Sequence, residues 1–127
     1  MHLGADDLPV DHVRDVSPSP WCIGASVGDV GEAAAALASS ADYWGIGPVY
    51  STSTKGDAGP PIGPVGFRRL AEMAPPGTAV IAVGGIDAGS ARFVMEAGAS
   101  GVAVSRAVFG SDDIAGAAAR LLAIVAP

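Results

Sequence analysis

The sequence has a single cysteine, Cys22, so no internal disulfide can form. Its place in the apolar run Trp21-Cys22-Ile23 predicts a thiol packed inside a strand, and such a thiol fits a reducing, cytoplasmic compartment. Positive charge is scarce: 7 Lys and Arg stand against 13 Asp and Glu, for a net charge of −6 and a pI near 4.5. A surface of that sign repels nucleic acid and anionic lipid, so neither nucleic acid nor membrane is expected as a partner. The longest apolar stretch, near the C-terminus, is short and interrupted by Arg120, which excludes a membrane span. The opening residues, Met1 to Asp7, are too acidic and too poor in apolar residues for a signal peptide. Zinc-ligand spacing, a P-loop and a dinucleotide-binding glycine fingerprint are all missing. Neither His2 nor His12 has a Cys or Ser close in sequence to suggest a nucleophile pair. The 127 residues also fall short of the roughly 250 typical of a complete eight-stranded α/β barrel.

What is present is a globular pattern. Half the residues are apolar and 16% are charged, which fits one domain with one core. Short apolar runs alternate with Ala-rich helical stretches. The runs are Trp21 to Ser26, Tyr43 to Val49, Thr78 to Val83 and Gly101 to Ser105. Helices are predicted from an Asp29 cap to about Ala38, from Pro64 to before Pro75, from an Asp87 cap to about Glu96, and from Ser111-Asp112-Asp113 onward. His2-Leu3-Gly4 reads as the end of a further strand, and Asp11 to Val16 as one short helix. Repeating units of about 25 to 30 residues have the size of a βα unit. Runs apolar on both faces predict parallel strands covered by helices.

Parallel α/β sheets bind ligands at the carboxyl ends of their strands, and four features fall there. Thr52-Ser53-Thr54-Lys55 follows the second run in a loop long for a βα connection; it is either a phosphate loop or a polar surface loop. Gly84-Gly85 lies at a strand-to-helix turn, where a glycine pair can admit a phosphate to the helix N-terminus or simply make a tight turn. Ser105-Arg106 ends the last run, and Arg106 is either an anion clamp or a surface arginine. Asp6-Asp7 can hold Mg²⁺ through one or two oxygens, although adjacent acids more often serve as solvated charge or a helix cap.

These segments resemble the thiamine phosphate synthase family. The resemblance rests on His2-Leu3-Gly4-Ala5-Asp6-Asp7-Leu8-Pro9, Gly24-Ala25-Ser26, Asp42 through Tyr50, Thr52-Ser53-Thr54-Lys55, Val83-Gly84-Gly85-Ile86 and Gly98 through Val104, in the family's order over nearly the whole chain. The strand Tyr43-Trp44-Gly45-Ile46-Gly47-Pro48 joined to Thr52 through Lys55 is its most specific part. The resemblance implies an α/β fold of parallel βα units forming the C-terminal half of a (β/α)8 TIM barrel. It implies a transferase that joins hydroxymethylpyrimidine diphosphate to thiazole phosphate, giving thiamine phosphate and diphosphate. On this basis Asp7 is a Mg²⁺ ligand, and Ser26 and Lys55 are catalytic residues at the pyrimidine diphosphate. Thr52, Ser53 and Thr54, with Gly85, Ser105 and Arg106, hold the thiazole phosphate. Two positions depart from the family: Ala5 stands where its glutamine is usual, and Arg106 where its last-turn serine falls. The family's Gln-x-Arg-x-Lys motif and Asn-Asp pair are expected in a preceding half, so a complementing N-terminal half or a homo-oligomer is the expected protein partner. A non-catalytic thiazole-phosphate module and a thiazole tautomerase-like protein are the alternative readings.

Overall fold

A computed structural model of the chain describes residues 1–17, 21–54 and 59–126. Five strands form one parallel sheet in sequence order: β1 (His2–Leu3), β2 (Gly24–Val27), β3 (Tyr43–Ile46), β4 (Ala79–Val83) and β5 (Gly101–Ala103). The intervening helices are α1 (Val10–Val16), α2 (Val30–Leu37), α3 (Gly63–Ala71) and α4 (Ala91–Glu96), with α5 (Arg106–Phe109) and α6 (Ile114–Val125) after the last strand. The predicted βα alternation is therefore observed, with every paired strand parallel to its neighbour.

Register divides the sheet into two faces, because alternate side chains point opposite ways. Ala25, Trp44 and Val80 share one face in successive strands, and Val27, Ile46, Ala82 and Val102 lie two residues further along it. The helices cover this face. Ala33 and Ala36 of α2, Phe67 and Leu70 of α3, Val94 of α4 and Leu121 of α6 join those strand residues in one core cluster. Trp44, Phe67, Ile23 and Ile46 are its largest fully buried side chains, each stabilising the fold by about 1.5–3 kcal/mol or somewhat more for the aromatics. The other face carries His2, Gly24, Ser26, Tyr43, Gly45, Ala79, Ile81, Gly101 and Ala103. Apart from Ile81 and Val83 it is small or polar, and it is more open: His2 and Ala103 are exposed, and Ser26, Tyr43 and Ile81 are half-buried.

Local chemistry sets the helix boundaries. Asp29 caps α2 by accepting from Glu32 N at 2.8 Å, and Asp113 caps α6 by accepting from Gly116 N at 2.8 Å. Pro64 occupies the first turn of α3, where its missing N–H costs nothing. Asp87 differs from expectation. Its carboxylate accepts from Gly89 N, Ser90 N and Ser90 Oγ, forming a turn that delays α4 to Ala91. Those bonds, the Ser90 hydroxyl foremost, hold the Asp87 carboxyl below the usual carboxylate range. The short helix α5 has no predicted counterpart.

Cys22 is a correction. The second strand starts at Gly24, not Trp21, and the Cys22 side chain is exposed rather than packed inside a strand. The buried partner of that run is Ile23, whose N–H donates to Asp42 Oδ2 at 2.7 Å. Asp42 thereby ties three segments together, since Arg14 Nη2 of α1 donates to the same oxygen at 2.8 Å and to the Ser40 carbonyl at 2.7 Å.

The Arg14 hydrogen bond, then the Ile23 N–H, lowers the Asp42 pKa in the folded chain. The stabilisation is therefore complete above the unfolded carboxylate pKa and disappears as pH falls through the lower folded value. Asp42→Ala should cost about 1–2 kcal/mol at pH 7, after allowance for solvent screening of a half-exposed pair. Urea unfolding should show the gap between variant and parent shrinking as pH falls below the ordinary carboxylate range, where the parent carboxylate protonates too. A gap independent of pH would show that the carboxylate charge is not what joins these segments.

Candidate functional site

The carboxyl ends of all five strands open onto one cavity of about 1300 Å³. Its walls come from the turn after β1, the β2–α2 turn, the loop after β3, the glycine turn after β4 and the β5–α5 turn. Of the residues singled out from the sequence, Asp7, Ser26, Thr52, Thr54, Gly85, Ser105 and Arg106 line it. Ser53 joins them by accepting a hydrogen bond from Arg106 Nη2. Lys55 lies outside the described residues.

The loop after β3 is built by continuing the sheet's hydrogen bonding. Val49 N donates to the Val83 carbonyl at 2.8 Å and Tyr50 N to the Gly84 carbonyl at 3.0 Å. Gly84 and Gly85 have φ of +90° and +64°, in the left-handed region. A Cβ on Gly84 would lie 2.7 Å from Pro48 Cα, and one on Gly85 would lie 2.5 Å from the Ser51 carbonyl oxygen. The glycine pair thus permits two strand-end segments to touch backbone to backbone. Because α4 begins only at Ala91, the pair does not sit directly at a helix N-terminus, as the sequence reading expected. At the loop's far end, Ile62 N and Gly63 N donate to the Pro48 and Val49 carbonyls, both at 2.9 Å, returning the chain to α3. Thr54 N donates to Thr52 Oγ1 at 3.2 Å, curling the loop tip. The Arg106–Ser53 bond then joins the loop to the last turn.

The opposite wall is acidic. Asp6, Asp7, Asp29 and Glu32 all line it. Asp7 Oδ2 accepts from Gly4 N at 2.6 Å, which orders the turn after β1. Glu32 Oε2 accepts from Gly28 N at 2.6 Å while Glu32 N binds Asp29. This is a variant of the reciprocal capping box, in which the glutamate reaches one residue beyond the cap. The Asp29-x-x-Glu32 spacing is the sequence signal that reveals it. Ser26 Oγ lies 2.9 Å from His2 Nε2, a pairing that sequence distance concealed. Behind the loop, burial and then the Asp87 charge raise the Tyr50 hydroxyl pKa, so it stays protonated at neutral pH. Among the described residues no three His, Cys, Asp or Glu side chains form a metal-binding group. No described helix is long and apolar enough to cross a membrane.

Residues 1–108 match the family described as thiamine monophosphate synthase. The thiamine-phosphate synthase of Methanospirillum hungatei is 48% identical over 120 residues, covering 94% of this chain and 57% of that protein. The thiamine-phosphate synthase of Methanoculleus marisnigri is 43% identical over 121 residues, covering 95% and 56%. The solved thiamine phosphate pyrophosphorylase from Pyrococcus furiosus matches with a TM-score of 0.87 and 38% identity, over 98% of this chain and 57% of that one. A 3-hexulose-6-phosphate synthase structure, 17% identical with a TM-score of 0.68, shares the fold alone. The sheet is thus of TIM-barrel type, and the chain spans a little over half the length of the relatives it matches.

Gly85→Ala should displace the Tyr50–Ser51 backbone, because the added methyl meets main-chain oxygen and the residue keeps a positive φ. Denaturant titration should show a loss of at least about 1 kcal/mol. Gly59→Ala, which meets nothing within 4 Å among the described residues, serves as the control and should be near neutral. Equal midpoints for the two variants would contradict the backbone-on-backbone contact.

Proposed function

We propose that this chain, which belongs to the thiamine monophosphate synthase family, forms the C-terminal half of a (β/α)8 barrel and carries much of a thiamine phosphate synthase site. The reaction condenses hydroxymethylpyrimidine diphosphate with thiazole phosphate, giving thiamine phosphate and diphosphate. The observation that carries the proposal is the convergence on one cavity of the turn after β1, Ser26, the Thr52–Thr54 loop, Gly85 and the Ser105–Arg106 turn. The half-barrel reading draws on the open inner face and on β1 and β5 standing at the sheet's two edges. Edges of this kind pair readily with further strands, supplied by a complementing N-terminal half or a second copy.

On this reading the two walls have different work. Hydroxyls of Thr52, Ser53 and Thr54, backbone N–H groups near Gly85 and Ser105, and the Arg106 guanidinium hold the thiazole phosphate. Ser26 and Lys55 contact the pyrimidine diphosphate, and Lys55 offsets charge on it as it departs. The thiazole nitrogen then takes the pyrimidine's vacated carbon. The acidic wall would repel a diphosphate unless a cation stood between them. Asp7, with one ordered carboxylate and no cluster of three protein ligands, fits the way Mg²⁺ is held by one or two carboxylates plus substrate phosphate and water. Bound there, Mg²⁺ would supply charge neutralisation for the leaving diphosphate. The compartment proposed is the cytoplasm.

Product formation should be measured for the chain alone and mixed with the N-terminal half of a longer relative, in Mg²⁺ and both substrates. Thiamine phosphate is expected in the mixture and little or none from the chain alone; absence in both would sink the proposal. Arg106→Ala should weaken thiazole phosphate binding about tenfold, the scale of one charge-assisted hydrogen bond, and leave unphosphorylated thiazole unaffected. Equal losses for both ligands would remove Arg106 from the phosphate site.

A further inference from the structure

Two rings cross on the inner face of the sheet near β1 to β3. His2 belongs to β1 and Tyr43 to β3, and both align with Gly24 on the strand between them. Their centroids are 5.6 Å apart and their planes 30° from parallel. Each ring uses room that a glycine leaves. The Tyr43 ring lies over Gly24, and the His2 ring over Gly45, where a Cβ would come within 2.7 Å of His2 Cε1. The Tyr43 hydroxyl reaches the Met1 carbonyl at 3.4 Å, anchoring the far end of its ring. A stacked neighbour on one side and a bare strand beneath restrict the imidazole plane. In that plane Nε2 lies 2.9 Å from Ser26 Oγ. Ser26 lines the cavity, whereas neither His2 nor Tyr43 is among its lining residues. The serine is therefore the member of the pair that faces the cavity.

A serine hydroxyl has one proton to donate and two lone pairs to accept with. If Nε2 carries the imidazole proton, it donates to Oγ and leaves the serine proton for another acceptor. If Nε2 is bare, the serine spends its proton on the histidine and can only accept from a ligand. A diphosphate offers acceptors, so only the first arrangement serves it. We infer that His2 is a positioning residue that, as the Nε2–H tautomer, donates to Ser26 and aims the serine proton at an anionic ligand in the cavity. The inference rests on the proposed diphosphate side of the site.

Ring nitrogen NMR tests it directly, because the chain has only two histidines, His2 and His12. The spectra are to be recorded at about pH 8, above the ordinary imidazole range. The His2 signals should report Nε2–H, and Ser26→Ala should move them while leaving those of His12 in place. Gly45→Ala, which pushes the ring from its seat, should move them likewise. A His2 ring protonated at Nδ1, or one indifferent to Ser26→Ala, would overturn the inference. The second arm titrates hydroxymethylpyrimidine diphosphate with Mg²⁺ onto the chain mixed with its complementing half. His2→Ala should weaken binding about tenfold, the scale of one hydrogen bond to a charged group. His2→Gln, whose amide N–H can replace Nε2–H, should recover most of that loss. Unchanged binding in His2→Ala would also overturn it. Failure of the unsubstituted protein to bind the diphosphate would overturn the functional reading and the ligand assignment together. An Nδ1–H ring in a protein that does bind it would overturn the His2 inference alone.

Discussion

The site depends on two strand-end segments being able to touch through their main chains. Val49 and Tyr50 donate to the carbonyls of Val83 and Gly84, carrying the β3–β4 pairing past the last formal strand residues. Side chains at positions 84 and 85 would occupy the space where Pro48, Tyr50 and Ser51 now lie. With that approach allowed, the loop after β3 leans across β4 rather than standing free above it. Ser53 is thereby brought to Arg106, on the far side of β4, and three successive strand ends share one wall. A substitution at the glycine pair acts on the whole wall, since the loop crosses β4 through these contacts.

The two faces of the sheet differ in what they bury. One face is a continuous run of Val, Ile, Ala and Trp44 under the helices, and supplies the core. The other carries glycines, alanines, Ser26, Tyr43 and His2, which bury little apolar area. In closed barrels such inward positions interdigitate in layers contributed by alternate strands. Five strands cannot complete those layers, so Ala103 and His2 remain exposed and Ile81 half-buried. The crossing of His2 and Tyr43 over Gly24 and Gly45 is a local substitute for a layer, in which two rings fill the room that two missing side chains leave.

The parallel βα order was legible because each strand is an apolar run closed by a cap or a turn residue. Asp29, Pro64 and Asp113 announced α2, α3 and α6 within a residue or two. Two misreadings have the same origin: local pattern stops short of tertiary position. Cys22 sits in an apolar run, but the strand begins after Ile23, beyond the helices' cover. Asp87 does cap, through Gly89 N, Ser90 N and Ser90 Oγ, but it caps a turn that precedes the regular helix, so α4 starts later than its cap implies. The cavity's residue types were readable one by one. Their pairing was not: His2 with Ser26 spans 24 positions, and Arg106 with Ser53 spans 53. Those contacts exist only because parallel register brings successive strand ends side by side.

The cavity also answers a problem that composition poses. A chain of net charge −6 is a poor attractor of anions at long range. On the proposed reading it must nevertheless hold two phosphorylated substrates together. The asymmetry of the walls makes this tractable. The wall with Arg106 and the threonine loop has hydroxyls, main-chain N–H groups and a guanidinium, and its acid, Asp87, is turned to Gly89 and Ser90; on the proposed reading it binds a monophosphate without any added ion. The wall with Asp6, Asp7, Asp29 and Glu32 cannot do so, because every added phosphate oxygen faces like charge. A divalent cation reverses that sign locally, and the more acidic the wall, the better it retains the cation. The two substrates would thus be sorted by what each wall lacks: the monophosphate goes where donors already exist, and the metal-carrying diphosphate goes where only a cation can bridge. The same sorting makes the Ser26 proton valuable. Ser26 is the hydroxyl placed at the acidic wall, and whether it donates or accepts is decided by the histidine 2.9 Å away.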